Sequence, residues 1–168
     1  MRFDFQMRGV VERRSMGTNA KGELFYNVVY LSDEVVSQLP RKGPRLRIKG
    51  VFEDHPIELG IQPGKLDPPF IIVSKSLLEQ SGALLGDTVK LRFSLVDPDV
   101  VAIPEELAAA LEKNPSVKGL WQTLSAGKRR SWATYVDRAK RTTTRSAKAK
   151  EVVDRVRRGL VDPKDRWP

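Results

Sequence analysis

Hydrophobic and polar residues alternate from the first positions of the chain: Phe3, Phe5 and Met7 are interleaved with Arg2, Asp4, Gln6 and Arg8. A period of two predicts a half-buried strand, because successive side chains point to opposite faces. Gly9 in this run predicts a bulge or a close backbone approach. Ser15 to Gly22 is rich in turn formers. Leu24 to Leu31, with Phe25, Tyr26, Val28, Val29 and Tyr30, predicts a second strand. Gly50 to Pro69 carries Asp54-His55-Pro56, Gly60, Pro63-Gly64 and Asp67-Pro68-Pro69, which predict a hairpin and a connecting loop.

A pattern also recurs. Val29-Tyr30-Leu31-Ser32 precedes Asp33-Glu34-Val35-Val36, and Ile71-Ile72-Val73-Ser74 precedes Lys75-Ser76-Leu77-Leu78. The match resumes, one residue out of step, at Gly43-Pro44-Arg45-Leu46-Arg47-Ile48-Lys49 and Gly86-Asp87-Thr88-Val89-Lys90-Leu91-Arg92. Each unit reads as strand, short helix, glycine turn, strand. Ser32 and Ser74 suit N-caps, since a serine oxygen accepts from a free first-turn amide. Two such units predict pseudo-twofold symmetry, each covering the other's apolar face.

Beyond residue 100 the period becomes helical. Pro104 and Glu105-Glu106 open a helix with Leu107, Ala110 and Leu111 on its apolar stripe, and Asn114-Pro115 ends it. Val117, Leu120, Trp121 and Leu124 form a second stripe. Ser125 caps a third helix carrying Trp132, Tyr135, Val136 and Ala139, which Thr142-Thr143-Thr144 breaks. Ala149, Val152, Val153, Val156 and Leu160 mark a last helix; Asp162-Pro163 ends it, and the remaining residues fray or fold back through Trp167. Strands followed by helices define an α+β chain.

Composition narrows the chemistry. The 168 residues include no cysteine and one histidine, which excludes disulfides, thiolate metal sites and cysteine nucleophiles. No cofactor or metal is expected. No apolar run is long enough for a membrane span and the N-terminus lacks a signal core, so the expectation is a cytoplasmic protein without a membrane partner. The net charge of +9 is uneven. Residues 1–112 hold 14 Lys/Arg against 16 Asp/Glu, whereas residues 113–168 hold 16 against 5. Such a one-sign segment acts as an electrostatic patch.

No catalytic constellation stands out, and the expectation is a non-enzyme. His55 could act as a base, or bind a metal with Glu53 and Asp54, but a hairpin tip offers no shielded pocket. Ser74 and Lys75 are adjacent, so their side chains diverge on a helix and capping explains Ser74. Glu105-Glu106 fits a helix start and Asp97-Pro98-Asp99 a turn. No glycine-rich phosphate loop is present. The candidate anion-binding residues are Lys128, Arg129, Arg130, Arg138, Lys140, Arg141, Lys148, Arg155 and Arg158. Lys128-Arg129-Arg130 sit at the positive end of a helix dipole, where cations are disfavoured, and so point to an anionic partner or a nearby acidic surface. On a helical wheel Arg145 falls beside Val152 in the apolar arc, with Lys148, Glu151, Arg155 and Arg158 toward the other side. Arg145 is therefore expected to reach a carboxylate, carbonyl or ligand, as a structural or ligand clamp.

The repeat with Ser74-Lys75-Ser76-Leu77 and Gly86-Asp87-Thr88-Val89 resembles a small bacterial domain of unknown function. The tail resembles the YdeI/OmpD-associated family, also termed bacteriocin-protection proteins. The residues carrying that second resemblance are Val101-Ala102-Ile103-Pro104, Ala109-Ala110-Leu111, Leu124-Ser125, Arg129-Arg130, Ala139-Lys140-Arg141 and Thr144-Arg145. Two features depart from the patterns: Asp54-His55 stands where Asn-Gly is usual, and Thr143 where an acid is expected. The resemblance implies a double-split β-barrel of two AbrB-like repeats over residues 1–98 and a basic helical segment over 99–168. It supplies no catalytic residues. The expected function is a binding module whose basic appendage contacts nucleic acid or another polyanion. The alternative is a small-molecule-binding or stress- and bacteriocin-protection protein, with a pocket between barrel and helices lined by Arg145 and the tyrosines. The oligomeric state is not specified.

Overall fold

The computed structural model describes residues 2–40, 45–64 and 67–165. Among these residues the protein is a mixed α+β chain of six antiparallel strands and six helices. It divides into two compact units, 1–98 and 99–168. Gly43, Pro44 and Trp167 lie outside the described residues.

The first unit holds strands β1 (Phe5–Asn19), β2 (Gly22–Tyr30), β3 (Arg47–Phe52), β4 (His55–Gln62), β5 (Phe70–Val73) and β6 (Thr88–Val96). Helix α1 (Asp33–Gln38) follows β2, and α2 (Lys75–Ser81) follows β5. The pairing order β1-β2-β5-β4-β3-β6 closes on itself, because β1 pairs with β6 through Phe5–Val10 and with β2 through Val11–Asn19. Exchanging β1, β2 and β3 for β4, β5 and β6 leaves this pairing unchanged. Thus β2 pairs with β5, and β3 with β6. Ser32 and Ser74 both cap, accepting from the amides of Val35 at 3.5 Å and Leu77 at 3.1 Å. Alternating inward residues of the ring, including Val11, Val29, Ile48, Phe52, Ile71 and Leu91, form one core.

Two turns differ from expectation, and at Gly9 the close approach is found instead of a bulge. β1 runs on to Asn19, and the turn is Ala20-Lys21. Gly17, at φ 102°, is absorbed where the β1–β2 register shifts between Ser15 and Thr18. Gly9 stays in regular register, and its bare Cα admits Val29, whose Cγ1 would lie 2.5 Å from an added Cβ. The β3–β4 loop is Glu53-Asp54 rather than Asp54-His55, with Glu53 in the left-handed region at φ 51°.

The second unit holds α3 (Glu105–Glu112), α4 (Pro115–Thr123), α5 (Ala126–Asp137) and α6 (Thr142–Arg157). Leu107, Leu111, Val117, Trp121, Trp132, Val136, Val152 and Val156 build its core. Ser125 caps α5, accepting from Lys128 N at 3.4 Å. The threonines 142–144 do not break a helix; they form the first turn of α6, and the break falls at Arg138–Arg141. Leu120 is 46 % exposed, because α4 buries only Val117 and Trp121. α6 stops before Leu160, where Gly159 takes φ 83°. No helix among the described residues is long and apolar enough to cross a membrane.

Candidate functional site

With the unit boundary at residue 99, the acids of α3 join the basic helices. The second unit then holds 16 Lys/Arg against 9 Asp/Glu. Much of this charge is used internally. Lys128 lies 3.5 Å from Asp162, while Arg129 and Arg130 donate to the carbonyls of Asp99 and Val100, each at 3.4 Å. The cations at the start of α5 therefore meet an acid and two carbonyls. The amide of Lys164, and to a lesser degree the charge on Lys128, hold Asp162 below the usual carboxylate range.

The face of α6 expected to carry anion-binding residues is largely covered. Arg155 is only 6 % exposed, so it is no surface cation. Its guanidinium lies 5.2 Å above the Trp132 ring and donates to the Asp165 carbonyl at 2.7 Å and to Glu151 at 3.3 Å. Lys148 is half-buried, 4.4 Å above the Tyr135 ring, and donates to the Tyr135 carbonyl at 3.0 Å. A wheel that counts aliphatic residues misses this face, because stacked cations pack it in place of aliphatic side chains. Arg158 is exposed and engaged.

Arg145, 26 % exposed along its side chain, meets four acceptors. Nε donates to Glu106 Oε1 at 2.7 Å, one terminal nitrogen reaches the Ala139 and Lys140 carbonyls at 3.3 and 3.4 Å, and the other reaches Thr142 Oγ1 at 3.1 Å. One guanidinium thus ties α3, the α5–α6 corner and the first turn of α6 together. That corner presents Arg138, Lys140 and Arg141, all exposed and without an ion pair among the described residues. The first turn of α6 carries no acid and no side-chain cap. Its free amides add to the positive potential.

The Glu106 carboxyl is held below its ordinary value by its own backbone amide and then by Arg145. A carboxyl depressed on folding stabilises above its unfolded pKa, about 4.3, and loses that contribution as pH falls through the folded value. The helical unit is therefore expected to lose stability in acid below about pH 4.3. Glu106→Gln should lack that increment, as urea midpoints at graded pH would reveal.

A groove of about 720 Å³ runs between α3 and α6. It lies within the helical unit, and neither Arg145 nor a tyrosine lines it, unlike the pocket expected from sequence; Glu106 and Thr142, partners of Arg145, do. In the strand unit, His55 borders a smaller cleft of about 410 Å³. Its Nδ1 is buried with no hydrogen-bond partner among the described residues. The nearby carboxylates serve turns: Glu53 accepts from Lys90 N at 2.7 Å and Asp87 from Leu84 N at 2.8 Å. No group of three or more metal-ligating side chains occurs among the described residues.

Fold and site define a chain with a ring-paired strand unit and a basic unit of helices. Within the latter, residues 100–159 match the model of the family described as Bacteriocin-protection, YdeI or OmpD-Associated. That span contains α3 to α6 entire and about a third of the chain. No curated protein matches the chain.

Proposed function

We propose that the protein is a non-enzymatic, cytoplasmic binding module whose helical unit contacts an anionic partner such as a nucleic acid. One observation carries this reading: Arg138, Lys140 and Arg141 stand exposed and without ion pairs among the described residues, at a corner that Arg145 holds in place. A corner whose backbone is already fixed loses little backbone freedom on meeting phosphates. The strand unit, on this reading, is a double-split β-barrel of two AbrB-like repeats that acts as a scaffold. The exchange of three strands for three that preserves the pairing supports that assignment. The family match supports a YdeI/OmpD-associated character for the helices.

The test is fluorescence anisotropy of a labelled DNA duplex across a salt series, with heparin as a polyanion lacking bases. Three phosphate contacts predict a slope near −2.7, hence about a 40-fold loss between about 50 and 200 mM salt. The combined variant Arg138→Glu, Lys140→Glu, Arg141→Glu should abolish binding to both. Absence of binding to either at low salt would overturn the reading.

A second reading, a small-molecule-binding or stress- and bacteriocin-protection protein, draws on the groove between α3 and α6.

A further inference from the structure

The groove between α3 and α6 has a direction. Glu106, near the start of α3, pairs with Arg145 near the start of α6. Asn114, just past the end of α3, accepts from Arg157 at the end of α6 at 3.0 Å. Matched partners at both ends make the helices parallel, so like ends share the groove. Glu105 stands at its N-terminal end and Lys113 at the other, while Lys150, between Arg145 and Arg157 on α6, lines the middle stretch with Ala109, Ala110 and Val153.

Other charges here are already matched. Glu106 holds Arg145, and Asp154 holds Arg157 at 2.8 Å. Glu105, Lys113 and Lys150 are exposed and have no ion pair among the described residues. Eight residues of helix separate Glu105 from Lys113, a rise of about 12 Å. Glu105 and Lys113 thus place opposite charges at the two ends of the groove, with Ala109, Ala110 and Val153 on the stretch between them.

We infer that this groove binds a short extended peptide with free termini, its ammonium at Glu105 and its carboxylate at Lys113. The inference rests on the small-molecule reading, not on the anionic-partner one. An extended chain spans about 3.3–3.6 Å per residue, so three or four residues match the separation of charge. Small Ala109 and Ala110 leave room for side chains, and Ser146 also lines the groove. The volume falls in the range of small-ligand sites, about 300–1,000 Å³.

Amide chemical shifts of the full chain, titrated with trialanine and tetraalanine, provide the test. Saturable shifts confined to α3 and α6 are expected. Acetylated, amidated trialanine and free alanine should bind about tenfold more weakly, since each loses a matched charge or its spacing. Glu105→Lys and Lys113→Glu should each show the same loss while keeping a dispersed spectrum, because both side chains are exposed. Equal binding of the capped peptide, or unimpaired binding by the variants, would overturn the assignment. A linear diamine and a linear dicarboxylate of similar length complete the set. Should either move these amides when peptides do not, the peptide fails as occupant and the small-molecule reading survives; if no probe moves them, both fail.

Discussion

Gly50→Ala is expected to destabilise the strand unit by about 3 kcal/mol or more, the upper end of overpacking. Gly50 lies in β3, opposite Phe93 of β6 and Ile57 of β4. A Cβ there would press on the Arg92 carbonyl oxygen and come within 2.6 and 2.7 Å of Phe93 Cα and Cβ. These atoms belong to a buried strand and cannot swing aside. Phe93 is itself fixed, fully buried and stacked on Phe5 at 5.1 Å. The β3–β6 pair is also one of two places where exchange-related strands meet, so a displacement spreads to both halves of the ring. Gly60→Ala in β4 is the matched control, since its Cβ would meet nothing closer than 3.5 Å. Urea denaturation followed by far-ultraviolet circular dichroism separates the two. Equal midpoints would refute the close packing at Gly50.

Such a glycine shows what the sequence makes legible and what it hides. Period-two alternation marks the Phe5–Met7 strand without knowledge of partners, and Ser32 and Ser74 announce their helices because capping is local. The equivalence of β1 with β4 is invisible in the residues. It exists only in the pairing, where each joins one strand of its own half to one of the other. Gly50 reads as an ordinary loop glycine until Phe93 is placed against it. The candidate site follows the same division. Charge at Arg138, Lys140 and Arg141 is a property of the sequence. The engagement of Arg129, Arg130 and Lys128 depends on carbonyls and an acid some thirty residues away. The groove needs α3 beside α6, which no local pattern encodes. Arg155 is the sharpest case: its charge predicts a solvated face, yet Trp132 and the Asp165 carbonyl give it a buried seat.

That seat underlies the second large effect. Trp132→Ala is expected to cost the helical unit about 3–5 kcal/mol. Trp132 is fully buried, meets the Tyr135 ring edge-on at 6.2 Å, and carries Arg155 on its face. Truncation therefore opens a cavity and also strips Arg155 of its stacking surface. The cation remains buried, held among the described residues by Glu151 and the Asp165 carbonyl, in surroundings where partial loss of partners is costly. Glu151 also accepts from the Tyr135 hydroxyl at 2.6 Å, and this bond holds the Tyr135 pKa above its ordinary value. Loosening Arg155 thus reaches the α5–α6 contact at a second point. Trp132→Phe separates cavity from chemistry. The indole Nε1 has no hydrogen-bond partner among the described residues, so a phenyl ring gives up volume without a lost bond, and it still offers Arg155 a face. Its cost should be well under half that of alanine. Unfolding in urea, followed by far-ultraviolet circular dichroism, reads both. If the two variants unfold at the same midpoint, neither the cavity nor the stacking of Arg155 sets the loss, and the expectation fails.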